Sequence, residues 1–268
     1  MVPSYARGAA GLAHRIYHTA VRDIRKAHRN AVAGLLMTIA QAVIFLSAFW
    51  LMFTLLGQRG FAIRGDFLLY LMTGIFLFLT HTKTLTAVAK AEGPTSPMMA
   101  HAPLNTAITI SAAALSTLYL QILSLTAILG AYHVIVTPIA IDKPVGALAM
   151  LLLAWITGVG AGTILMALKP WYPEAVTLVS QIYSRASMIL SGKMFVANML
   201  PGYLLGLFDW NPLFHVIDQE RGFVFRNYNP QFTSPWYPLW VGLALIVIGM
   251  MGEFYTRRHA SISWGAGR

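Results

Sequence analysis

The chain has 268 residues, of which 57% are hydrophobic and only 10% charged, with a mean hydropathy of +0.64. A water-soluble domain of that size needs far more polar surface, so a soluble core is excluded and one helical membrane domain is expected. The net charge of +10 does not point to nucleic acid, because Lys and Arg stand at the ends of apolar runs and not in aromatic-studded patches. With no cysteine, disulfides, a thiolate nucleophile and a Cys-ligated metal are also excluded.

The first thirty residues carry six Lys or Arg, and 30–58 then holds no charged residue. An apolar run of that length behind so long a polar arm does not fit a cleavable signal peptide, whose apolar region is roughly 7 to 15 residues. Over 10–26 the apolar positions Leu12, Ile16, Ala20 and Ile24 fall four apart, while Arg15, Arg22, Arg25 and Lys26 take the remaining surface. That pattern predicts an amphipathic interfacial helix lying in the headgroup layer.

Spans are predicted at 31–56, 67–89, 105–134, 145–168, 174–190 and 235–255, with Lys83 near enough the end of the second to snorkel. Between the second and third, 92–103 contains Pro94, Pro97 and Pro103 yet is too apolar for a plain linker, so it is expected to pack on something. In the fourth span Gly158 and Gly162 form a small-xxx-small pair, with Gly160 between them, that admits a neighbouring helix closely.

After the fifth span, 194–208 is apolar but short and broken by Pro201-Gly202. Asn211-Pro212 then reads as an N-cap followed by proline at the first helical position, with Gly222 as the C-terminal stop. Two short helices joined by a turn predict a re-entrant hairpin, tolerable only where protein shields its backbone. The fold expected is therefore an all-α polytopic membrane protein with six transmembrane helices, an N-terminal interfacial helix and a re-entrant helical hairpin between helices five and six. With six crossings, twelve Lys or Arg fall on the side of the termini and six on the other, together with five of the nine acids. The positive-inside rule then puts both termini in the cytoplasm.

No Asp or Glu falls in the middle of a predicted span: Asp66, Asp142 and Glu174 are at turns and Glu253 is near the end of helix six. Ion-coupled transport, which needs such carboxylates, is disfavoured, and so is a membrane hydrolase or glycosyltransferase. The cluster His215, Asp218, Glu220 and Arg221 predicts a polar helical face with an Asp218 to Arg221 pair, and leaves open an enzyme acting on lipid-linked sugar through His215 and Asp218. Arg185 is the one charge deep in a span, so it must meet water, a carbonyl or an anion. The intramembrane aromatics Tyr70, Tyr119 and Tyr183, with Trp50 and Trp155, either fill helix packing or offer faces on which sugars stack. No phosphate-loop motif occurs, and Ser191-Gly192-Lys193 lacks both its upstream glycine and its following hydroxyl. The chain therefore hydrolyses no nucleotide by itself, and energy for pumping must come from another subunit through the cytoplasmic loops.

The basic arm with Arg22-Asp23-Ile24-Arg25, the six spans, the proline-bearing loop, Ser191-Gly192-Lys193-Met194-Phe195 to Leu200-Pro201, and Asn211-Pro212-Leu213-Phe214-His215-Val216-Ile217 ahead of Arg221 extend over nearly the whole chain. In this arrangement the chain resembles the permease subunits of type 2 ABC exporters, most closely those of capsular-polysaccharide and O-antigen export. Lys193 departs from the small or bulky apolar residue more usual there. The resemblance implies a cytoplasmic arm over 1–30 and a six-helix domain over 31–268, with a coupling loop at 90–104 and an extracytoplasmic re-entrant region at 191–226. It implies a homodimer in the bacterial inner membrane, two cytoplasmic ATPase subunits that bind ATP and Mg, a polysaccharide cargo that is lipid-linked, and periplasmic or outer-membrane export components. No cofactor in this chain and no nucleic acid partner are expected. Glu92, Ser96, Pro97, Met98 and His101 are assigned to ATPase coupling, Arg185, Tyr70, Tyr119 and Tyr183 to the translocation pathway, and Pro201, Asn211, Pro212 and His215 to the exit gate. Export of a lipid or small molecule is the alternative within the same class.

Overall fold

A computed structural model describes residues 4–27, 31–55, 63, 65–93, 96 and 105–260. Among them the chain is helical throughout: α1 Ser4–Ala27, α2 Ala31–Leu55, α3 Phe67–Ala89, α4 Thr106–Ile135, α5 Pro144–Leu168, α6 Pro173–Leu190, a single 3-10 turn Ala197–Met199, α7 Gly202–Phe208, α8 Pro212–Val224 and α9 Trp236–His259. Five of these, α2, α3, α4, α5 and α9, are long and apolar enough to cross a membrane. The exception among the longer central helices is α6, whose 18 residues include Glu174, Ser180, Gln181, Ser184, Arg185 and Ser187.

Local chemistry sets the starts. Asp66 caps α3, accepting from the Leu68 and Leu69 amides at 2.8 and 3.2 Å. Proline opens α5, α6 and α8, where its missing N–H would have been unpaired anyway. At α8 the Asn211 side chain accepts from the Leu213 amide at 3.0 Å, as its Asn-Pro pair predicts. The helix does not stop at Gly222, however. It runs on to Val224, and a Cβ at Gly222 would sit 2.6 Å from the Pro230 ring, so this glycine is there for a close approach and not as a terminator.

α3 is the central helix, with Leu71, Ile75, Phe76 and Leu77 all at 2% exposure or less. α5 lies between α3 and α9, and glycine permits both contacts. Cβ atoms at Gly158 and Gly162 would meet the His81 and Leu85 carbonyls at 2.6 and 2.8 Å, while one at Gly160 would meet Leu245 of α9 at 2.7 Å. The small-residue pattern of 158–162 thus does what its spacing predicts.

The bundle has two distinguishable ends. At one, Asp66 accepts from the Tyr132 hydroxyl and from Thr137 Oγ1, and the Asp142 and Lys143 amides donate to the carbonyls of Val224 and Phe223. α9 runs alongside α5 in the same direction, Leu245 against Gly160 and Gly249 against Thr163, so its start is at this end too, where the Tyr237 hydroxyl donates to the Trp210 carbonyl. At the other end Thr109 Oγ1 donates to the Glu92 carbonyl, Trp171 Nε1 donates to Thr256 Oγ1, and Thr256 Oγ1 donates to the Ala167 carbonyl.

Candidate functional site

α6 is held loosely. It buries only Val176 and Ser187, and Arg185 is exposed. A groove of about 350 Å³ runs between α6 and the ends of α3 and α5, lined by Thr86, Lys90, Lys169, Thr177, Ser180, Gln181, Ser184 and Arg185 among others. Three cations and several hydroxyl and amide groups converge there with no acid among the described lining residues, a composition that suits an anion. Sequence reasoning found Arg185 but not the two lysines, which lie in different turns and come together only through the fold.

Tyr183 ties α6 to the body. Its hydroxyl lies 2.8 Å from His81 Nε2, and His81 Nδ1 lies 2.9 Å from Thr157 Oγ1. Thr157 Oγ1 itself donates to the Leu153 or Ala154 carbonyl, so it accepts from Nδ1–H and leaves Nε2 to accept from Tyr183. His81 is fully packed between α3 and α5, and the signal that could have found it is an ionisable side chain deep within an apolar run. The other two aromatics assigned to the pathway lie elsewhere. Tyr70 is buried beneath the Arg221 guanidinium, 4.2 Å from its ring centre, and Tyr119 is exposed on α4 beside α1.

The four residues that the sequence assigns to an exit gate fall in one segment. Pro201 precedes α7, Pro212 opens α8, and Asn211 Nδ2 donates to the Leu190 carbonyl at 2.9 Å, fastening the α7–α8 turn to the end of α6. His215 Nδ1 accepts from the Ser234 amide at 3.1 Å, so Nε2 carries the proton and donates to the Asp209 carbonyl at 2.7 Å.

The predicted Asp218 to Arg221 pair does not form, and neither residue is on a solvated face. Asp218 accepts from the Ala197 amide at 3.2 Å, the Tyr228 hydroxyl at 2.5 Å and Thr233 Oγ1 at 2.8 Å. Arg221 donates to the carbonyls of Gly192, Lys193 and Phe195 at 3.0, 2.7 and 2.5 Å. Both are buried to about 1% exposure or less. These bonds hold His215 and Asp218 in structural roles, which leaves the enzymatic alternative without support from geometry.

The 191–196 turn gripped by Arg221 has Gly192 at φ +70°, and a Cβ there would lie 2.5 Å from the Phe214 ring, so glycine is required twice over. Lys193 projects from this turn into three phenyl rings, its Nζ lying 3.8, 4.7 and 5.7 Å from the centres of Phe78, Phe49 and Phe45. The lysine is thus accommodated among aromatic faces from α2 and α3.

Of the residues that the sequence assigns to ATPase coupling, Ser96 Oγ donates to Glu92 Oε2 at 2.5 Å, and the Glu92 carbonyl is held from α4 by Thr109. Pro97, Met98 and His101 lie outside the described residues. Among the described residues no group of three or more His, Asp or Glu is placed to hold a metal ion. No protein-family model matches the chain, and no curated protein does.

Proposed function

We propose that the protein is the membrane permease subunit of an ATP-driven ABC exporter that carries a polysaccharide, lipid-linked and of capsule or O-antigen type, out of the cytoplasm. The observation that carries this reading is α6, a helix at the side of the apolar spans that buries little of itself and lines a groove with Arg185, Lys90 and Lys169. Cations and hydroxyls on that surface are costly against lipid, so a second copy closing an aqueous path over α6 is the arrangement they favour. Acidic sugars or a phosphate-bearing carrier suit such a wall. Its runner-up, an exporter of a lipid or small molecule, has no observation of its own.

In this reading α6 is the fifth of six crossings and the α7–α8 segment is the re-entrant hairpin at the outer exit. Lys90, Lys169, Arg257 and Arg258 lie toward the end that carries Glu92, so the positive-inside rule makes that end cytoplasmic, with both termini there. The 90–104 segment docks a separate ATPase, which binds ATP and Mg, in the bacterial inner membrane.

The test is whether the chain co-purifies with a separate ATPase subunit and whether export depends on that subunit. Replacing Glu92 and Ser96 by Ala should abolish both while the protein still inserts, and Arg185→Glu should depress export while ATPase association is kept. Undiminished export in both variants would refute the assignment.

A further inference from the structure

Beneath α1 lies a groove of about 680 Å³, walled by Ile16, Ala20 and Ile24 of α1, Leu35 of α2, and Leu115 and Leu123 of α4. It is a different place from the groove beside Arg185 and shares no residue with it. Its volume falls within the roughly 300–1,000 Å³ of sites that enclose small ligands, and its walls are mostly hydrocarbon, with Tyr17, Ser116 and Tyr119 adding hydroxyls. Arg25 is the one charged side chain among the described residues of the lining, and it is exposed. The neighbouring arginines of α1 are engaged elsewhere, Arg15 Nε with the Gly11 carbonyl at 3.3 Å and Arg22 with Asp23 at 3.7 Å. The first thirty residues hold six Lys or Arg against a single acid, Asp23, so the field at the mouth of the groove is positive.

We propose that this groove is a binding site for an anionic phospholipid, with one acyl chain between α1 and α4 and its phosphate on Arg25. The apolar walls answer to the chain and the cationic arm answers to the headgroup, which a zwitterionic lipid would match less well. Bound there, the lipid fills the space that separates the amphipathic helix from the spans, and the seating of α1 depends on the membrane's anionic lipid. The inference does not rest on the exporter reading, since it requires only that α1 lie at a membrane surface.

The experiment is native mass spectrometry of the full chain, purified in detergent and mixed with phosphatidylglycerol or phosphatidylcholine. Phosphatidylglycerol should be retained at least about fivefold better, and Arg25→Glu should remove that preference, the loss expected for one basic side chain at a membrane surface. Ala20→Trp, which fills the groove from α1, and Leu123→Trp, which fills it from α4, should each displace both lipids. Arg226→Glu, at the far end of the bundle, should change nothing, and unchanged helical circular dichroism shows that each variant is folded. Equal retention of the two lipids by the unaltered chain, or undisturbed phosphatidylglycerol binding in folded Ala20→Trp and Leu123→Trp, overturns the proposal. So does a long-chain isoprenyl phosphate that displaces phosphatidylglycerol at tenfold lower concentration, because the groove would then hold a carrier tail and not a membrane lipid.

Discussion

Within four positions of α8, three ionisable side chains meet three different environments. Arg221 satisfies three carbonyls of the 191–196 turn, and Asp218 receives three donors. Glu220 is buried with Oε2 unpartnered beside an apolar cavity of about 150 Å³ lined by Leu69, Met72, Leu125 and Val224, and burial holds its pKa well above the usual carboxylate range. Leaving a buried polar group unpaired costs about 1–3 kcal/mol, so Glu220→Met should stabilise the protein by roughly that amount, while Arg221→Ala, which orphans three acceptors, should cost at least about 3 kcal/mol. Unfolding midpoints in detergent micelles measure both. Asp66 shows the opposite balance: burial raises its pKa, but donation from Tyr132, Leu69, Thr137 and Leu68 outweighs burial and holds it below its ordinary 3.8. A depressed carboxyl contributes stability that is present above the unfolded value and lost as pH falls through the folded one. Asp66→Asn should therefore be less stable than the unaltered chain by about 1 kcal/mol at neutral pH, with the gap closing as the medium is acidified below about pH 4.

At the scale of elements, the helices rest on close approaches that only glycine allows. Alanine at Gly158 would put its Cβ 2.6 Å from the His81 carbonyl, an atom of helix backbone that cannot swing away. Gly158→Ala should therefore cost about 1–3 kcal/mol, whereas Gly206→Ala, with nothing within 4 Å of the added carbon, should stabilise α7 by about 0.5–1 kcal/mol; the same unfolding midpoints decide. These elements were legible because apolar length, caps and small-residue spacing are local: the span predicted at 67–89 coincides with α3, and Asn211-Pro212 marks the start of α8. The site was legible only in part. The three-residue spacing of Asp218 and Arg221 favours a pair within one helix, but the carbonyls of a turn about 28 positions away along the chain offer the guanidinium more hydrogen bonds, and they win. The same limit hid His81, whose partners Thr157 and Tyr183 come from two other helices, and the two lysines that join Arg185.

For the whole molecule the open quantity is the number of crossings, and the contacts of α9 bear on it. Near its start Tyr237 holds Trp210, and near its finish Thr256 holds Trp171, so the chain between 171 and 210 travels from one end of α9 to the other. α6 supplies 18 residues of that path, about 27 Å at the helical rise, against a hydrocarbon core of about 30 Å. An amphipathic helix of that length crosses a bilayer only where its polar side has water or protein to face, which is the surface that Arg185, Ser180 and Ser184 present. Because the chain lacks cysteine, single substitutions report their side without background. A membrane-impermeant maleimide applied to intact cells should label Asp142→Cys and Trp210→Cys, and should reach Lys169→Cys and His259→Cys only after permeabilisation. If α6 instead lay along the surface, five crossings would remain, Trp210→Cys would share the side of Lys169→Cys, and the two termini would lie on opposite faces. Labelling Asp142→Cys and Trp210→Cys from opposite sides would thus remove the sixth span, and with it the enclosed pathway that Arg185 is proposed to line.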